Sequence, residues 1–257
     1  MEFVMKITRC TPAALLALLS LALAMPSHAA DLVVSAAASL TNAFTDIGRE
    51  FESTRAATKV LFNFGGSGQL LQQIAKGAPV DVFASADEET MDRAESEGFL
   101  QKGTRADFVR NYLVVVVPAD SKLSVRSLDQ LTKSKLRHIA IGNPGSVPVG
   151  RYSKAALQAS GVWDALQGKI VNTQNVRQSL DYVARGEVEA AFVYRTDAAI
   201  LPDKVRIMME VPTIAPILYP VAVVKSSRNK SAAREFVVYL RSGAAWKILV
   251  KYGFGEP

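Results

Sequence analysis

Cysteine and histidine are all but missing from this chain, which carries one Cys and two His in 257 residues. Cys10 and His28 both fall in an N-terminal stretch that reads as a removable leader, so the remainder has no thiol and a single imidazole, His138. That excludes a disulfide, a Cys-rich zinc or iron–sulfur centre and a Cys nucleophile, and it leaves His138 as the sole base for any histidine-dependent chemistry. A membrane-spanning run is lacking too. The apolar stretch 13–25 has about 13 residues, short of the roughly 20 that a helix needs to cross a bilayer. There is no low-complexity segment, no tandem repeat and no block of like charge. The formal charge of +6 is scattered along the chain, so no nucleic-acid footprint is expected, whereas weak attraction of small anions is permitted.

Residues 1–29 have the layout of a secretory signal peptide: Lys6 and Arg9, the apolar run, then Pro26 and the small residues Ser27 and Ala29, with cleavage expected after Ala29. A membrane anchor is the alternative, disfavoured by length. Cys10 precedes the apolar run, where a lipid-carrying cysteine would have to follow it. The composition of what remains, with 49% hydrophobic and 21% charged residues over the whole chain, is that of a globular protein.

Apolar, β-branched runs alternate with helical spacing along the chain. Residues 31–38 form a strand followed by Leu40, Ala43, Phe44, Ile47 and Phe51 at helical intervals. A second strand, 59–64, meets Gly65, Gly66, Ser67 and Gly68 before the helical residues Leu70, Leu71 and Ile74, and Asp87 reads as the N-cap of a helix ending at Gly98. Residues 138–142 lead through a turn into a helix that stops at Gly161, and a helix from Val176 to a stop at Gly186 is followed by a strand at 190–194. Two runs, 112–117 and 219–224, are apolar throughout and read as strands buried on both faces. Lying about 110 residues apart, they are expected to carry the chain from one α/β lobe into a second and back. The expected division is lobe one at residues 30–111 and 222–257, with lobe two at 112–221.

In such folds ligands sit beyond the carboxyl ends of strands, where helix N-termini converge. The turns Ala38-Ser39-Leu40, Gly66-Ser67-Gly68, Pro148-Val149-Gly150 and Asn175-Val176 all place peptide N–H groups at a helix start. Those groups lack intrahelical partners and carry the positive end of the helix dipole, which suits an anion. Ser39 and Ser67 add hydroxyls there, although each also fits ordinary N-capping. Gly-Gly-Ser-Gly has neither the lysine nor the spacing of a nucleotide loop. A Ser39 or Ser67 nucleophile would need His138, which stands at a strand start, away from the carboxyl ends. Asp81, Asp87 and Asp181 are scattered and have capping or surface explanations, so a hard-metal site is disfavoured. Tyr194, ending an apolar strand, is either a core aromatic or one more neutral donor.

Several stretches carry a family likeness: residues 36–43 (AAASLTNA), 77–86 (GAPVDVFASA) and 142–150 (GNPGSVPVG), together with Asn175-Val176-Arg177, Val193-Tyr194, residues 219–224 (YPVAVV) and Lys251-Tyr252-Gly253-Phe254. In these the chain resembles the periplasmic molybdate-binding proteins of ABC importers. The resemblance implies a type II periplasmic binding protein: α/β and two-lobed, each lobe a mostly parallel sheet flanked by helices, joined by two crossing strands. It implies a non-enzyme that captures molybdate or tungstate between its lobes and delivers it to an inner-membrane ABC permease, as a periplasmic monomer without cofactor or nucleic-acid partner. The binding groups it implies are the hydroxyls and neighbouring N–H groups of Ser39 and Ser67, the backbone N–H groups of Val149 and Val176, and the Tyr194 hydroxyl. The metal would be held only through its oxygens. Two departures stand out: Val149 where the family often has alanine, and glycines flanking Ser67 where relatives commonly have serines. A sulfate or other oxyanion carrier on the same fold, and an extracytoplasmic hydrolase, are the alternatives.

Overall fold

The computed structural model describes Glu2 and residues 30–55 and 58–257; the expected signal peptide, with Cys10 and His28, lies outside these apart from Glu2. Two sheets organise the described chain. In the first, β1 (Ala30–Ala37), β2 (Thr58–Gly65), β3 (Val82–Ala84), β4 (Ala106–Asn111) and β10 (Ile217–Val223) are ordered β2-β1-β3-β10-β4. In the second, β5 (Leu113–Pro118), β6 (Ile139–Gly142), β7 (Ile170–Thr173), β8 (Ala190–Tyr194) and β9 (Val205–Glu210) are ordered β7-β6-β8-β5-β9. β1 pairs in parallel with β2 and β3, and β6 with β7 and β8. The fourth strand of each sheet, β10 and β5, runs against both of its neighbours. The two lobes therefore repeat one plan.

Helices cover the sheets. α1 (Thr41–Ser53) turns Ala43, Phe44, Ile47 and Phe51 inward, and Phe44 and Phe51 meet Phe236 of α9 (Lys230–Leu240) with ring centroids 6.2 and 5.1 Å apart. The spacing that predicted this helix is the spacing of its buried face. In lobe one α2 (Ser67–Ala75) and α3 (Glu88–Ser96) follow β2 and β3, and Asp87 caps α3 by accepting the Thr90 N–H. In lobe two, past the short α4 (Gln130–Lys133), come α5 (Pro148–Ala159), the short α6 (Trp163–Leu166), α7 (Val176–Ala184) and the short α8 (Arg195–Ala198). α10 (Gly243–Lys251) closes the chain against lobe one.

The apolar runs at 112–117 and 219–224 are buried as expected, but neither strand crosses between lobes. Each lies wholly within one sheet: β5 is paired on both sides in lobe two and β10 on both sides in lobe one. Two-sided pairing, with helices over both faces, is what made them apolar. The chain passes between lobes at Tyr112 and again at residues 211–216, so lobe one resumes at Ile217, ahead of the expected residue 222. β4, β7 and β9 were not expected from the sequence. All three are edge strands with exposed polar positions such as Arg110, Asn172 and Glu210, which dilute the apolar signal.

Candidate functional site

Every element that ends at the cleft does so at the carboxyl end of a strand. β1 runs into a 3-10 turn, Ala38–Leu40, that places Ser39 before α1. β2 ends at Gly65, and Ser67 is the first residue of α2. On the facing lobe Val149 is the second residue of α5, Val176 the first of α7, and Tyr194 the last of β8. Pro148 occupies the first position of α5, where its missing N–H is no loss and the Val149 amide becomes the leading donor. Asn175 accepts the Gln178 N–H and so caps α7 without covering the Val176 amide.

Ser39, Ser67, Val149, Val176 and Tyr194 line one small cavity of about 10 Å³ between the lobes. Among the described residues no charged side chain lines it. The first amides of α2, α5 and α7 have no intrahelical partner by geometry, and among the described residues no other acceptor takes those of Ser67, Val149 and Val176. Ser67 Oγ accepts the Ala86 N–H at 3.1 Å, which leaves the Ser67 hydrogen free to donate. Ser39 Oγ meets the Tyr219 hydroxyl at 2.9 Å. The Tyr194 hydroxyl reaches across the cleft toward the Ala86 carbonyl at 3.5 Å, a long contact that yields readily to a better acceptor. Burial holds the Tyr194 phenol well above its ordinary pKa, so it remains a neutral donor.

Glycines let the lobes approach. A Cβ on Gly68 would stand 2.7 Å from the Ser146 carbonyl oxygen of lobe two, the acceptor of the Gly68 N–H at 3.0 Å. The glycines beside Ser67 are thus a requirement of backbone contact across the cleft. Within lobe two a Cβ on Gly150 would fall 1.8 Å from the Gly142 carbonyl oxygen, so only glycine lets α5 start this close to β6. The Val149 side chain is fully buried.

Two arginines span the cleft. Arg151 donates from Nε to Asp87 at 2.7 Å and from Nη2 to Thr90 at 2.6 Å, both in lobe one. Arg177 donates to the Asn42 side chain at 2.7 Å and the Ser39 carbonyl at 3.2 Å while paired at 2.6 Å with the fully buried Asp197 of its own lobe. Both guanidiniums are thereby engaged outside the cavity. Sequence reasoning did not single out Arg151, Ala86 or Tyr219 as site residues. Their partners lie 19 to 180 positions away, and no local pattern marks them. His138 is exposed at the amino end of β6, the far end of the strand from the cleft, and it offers no base to Ser39 or Ser67. Asp81, Asp87 and Asp181 do not come together, and no cluster of metal-binding side chains occurs among the described residues.

Residues 32–255 match the family of bacterial extracellular solute-binding proteins. The chain belongs to that family. YvgL of Bacillus subtilis strain 168 is 39% identical over 225 residues, 87% of this chain and 85% of its own. The molybdate-binding protein ModA of Escherichia coli K12 is 37% identical over 229 residues, covering 87% and 88%. Among solved structures, the periplasmic molybdate-binding protein of Azotobacter vinelandii superposes with a TM-score of 0.77 at 27% identity, covering 88% of this chain and 99% of that one. The family is one of solute-binding transport proteins, and the two-lobed α/β architecture of the chain is that of periplasmic binding proteins.

Proposed function

We propose that this solute-binding protein captures molybdate or tungstate in the interlobe cavity and delivers it, as a periplasmic monomer, to an inner-membrane ABC importer. The observation that carries the reading is the cavity itself: residues at helix starts and hydroxyl side chains from both lobes line it, and among the described residues no charged group does. Ser39, Ser67, Val149, Val176 and Tyr194 are the proposed binding residues. Fixed dipoles replace the water an oxyanion loses on entry, without a net positive charge that would trap it, so release to a permease remains possible. Donors alone also favour a fully deprotonated oxyanion, because the proton of hydrogen phosphate finds no acceptor. Sulfate meets the same rule, and only cavity size separates it from the larger molybdate and tungstate.

The donors are divided between the lobes, so neither lobe alone completes the shell. Binding favours the closed arrangement because only there do all donors act at once. The deciding measurement is thermal unfolding with molybdate, tungstate, sulfate or phosphate, backed by calorimetry. A ligand bound only by the folded state raises the midpoint by mass action. Molybdate and tungstate are expected to raise it most and phosphate least. A midpoint unmoved by all four overturns the proposal.

A further inference from the structure

We propose that Asn111 and Tyr219, which do not line the cavity, form a one-way relay that locks the Ser39 hydroxyl as a donor into it, making Asn111 a determinant of preference for fully deprotonated anions. The inference rests on the oxyanion reading above. Its starting point is a backbone amide. The Tyr112 N–H can only donate, and it lies 2.9 Å from Asn111 Oδ1. That contact settles the orientation of the Asn111 amide and leaves Nδ2 facing the other way. Its two hydrogens go to Thr196 Oγ1 at 2.8 Å and to the Tyr219 hydroxyl at 3.2 Å.

From there each step has one direction. Nδ2 has no lone pair to offer, so the Tyr219 oxygen accepts, and the Tyr219 hydrogen is directed to Ser39 Oγ, 2.9 Å away. Ser39 Oγ therefore accepts as well, and its own hydrogen is left for the cavity. Asn111 and Ser39 are each 3% exposed and Tyr219 is fully buried, so bulk water does not substitute in the chain. Burial also holds the Tyr219 phenol well above its ordinary pKa, which keeps in place the proton that the relay needs. The Ala86 N–H fixes Ser67 Oγ in the same sense. Both lobe-one hydroxyls thus enter the site as donors whose reversal would leave a buried polar group unpaired.

The test is a change of direction. Asn111→Asp keeps the shape but accepts from both Tyr112 and Tyr219, so the Tyr219 oxygen must accept from Ser39 and Ser39 turns an acceptor toward the cavity. Affinities of the full-length variant for molybdate and for inorganic phosphate are measured by calorimetry where both anions are doubly charged and only phosphate carries a proton. Equal ligand charge removes the effect of the new carboxylate from the ratio. The molybdate-to-phosphate ratio is expected to fall by about tenfold or more relative to the unaltered protein. Tyr219→Phe, which adds no charge, frees Ser39 to point either way and should lower the ratio by a smaller factor. It carries the test should the aspartate variant fail to fold. Thr196→Val removes another partner of Asn111 and should lower the unfolding midpoint while leaving the ratio unchanged. If the unaltered protein binds molybdate but Tyr219→Phe and any folded Asn111→Asp keep its ratio, the relay is overturned while the oxyanion reading stands. If the unaltered protein binds neither anion, both fall together.

Discussion

The two lobes share a sheet plan but face the cleft with different chemistry. Lobe one contributes the Ser39 and Ser67 side chains, each oriented by a buried partner. Lobe two brings mainly peptide N–H groups to the cavity, at Val149 and Val176, with the side chains of Tyr194 and Asn175 beside them. Side-chain donors are exposed to substitution at their own position. Backbone donors persist through any residue that keeps the helix start.

The largest break in this comparison is expected at Arg177. Its carboxylate partner Asp197 is fully buried within lobe two, so Arg177→Ala strands a buried charge and should destabilise the protein by about 3–5 kcal/mol, read from denaturant unfolding. An unchanged denaturation midpoint would show that the pair is not structural. Next comes Ser67→Ala, which removes a donor to the anion and leaves the buried Ala86 N–H without its acceptor. Calorimetry should show molybdate binding weakened by about 1.5–3 kcal/mol.

Val176 sharpens the contrast between side chain and backbone. Its place as the first residue of α7, after an extended Asn175, suits proline. Val176→Pro deletes only the amide hydrogen and should weaken binding by about 1–2 kcal/mol, whereas Val176→Ala, which keeps the donor, should bind within a few tenths. Equal affinities for the two variants would remove this amide from the site. Arg151 contrasts with Arg177 in its carboxylate partner, because Asp87 belongs to the opposite lobe whereas Asp197 belongs to the lobe of Arg177 itself. Arg151→Ala should loosen closure rather than the fold, weakening binding by about 1 kcal/mol and enlarging the ligand-free radius of gyration in solution scattering. A radius unchanged in the variant would contradict that role.

The smallest effect separates the lobes by pH. In lobe one Glu88 is raised from 4.5 to about 7, chiefly by burial and then by Asp107, against the lowering influence of Arg105. The folded state holds this proton more tightly than the unfolded chain. The resulting stability is complete below about pH 4.5 and is lost as pH rises toward 7. With its side chain 38% exposed the effect is screened to below about 1 kcal/mol. The unfolding midpoint of the unaltered protein should decline across this window relative to Glu88→Gln. A constant difference between the two would refute the assignment.

Much of this molecule was legible in its sequence, and the boundary of legibility is physical. Central strands such as β5 and β8, covered on both faces, announce themselves as apolar runs, and α1 shows its buried stripe directly. The edge strands β4, β7 and β9 do not, because half of their side chains answer to water. All five expected site residues meet at one cavity because strand-to-helix turns are local patterns whose geometry places amides at a helix start. Tyr219 was hidden for the opposite reason. It sits in an apolar run, looks like a core aromatic, and acts through Asn111 and Ser39, 108 and 180 positions away.

The position of β10 between β3 and β4 also orders events in time. Among the described residues β4 has no other neighbour in the first sheet. As the chain emerges, residues 30–111 arrive first, yet their sheet stays split until residue 217 and beyond have followed. The second lobe, contiguous from Leu113 to Glu210, can finish earlier. Until the last strand slots in, β3 and β4 each present a bare backbone edge, the kind of surface that recruits stray strands. Premature termination before residue 217 would therefore yield a sound half joined to an adhesive one.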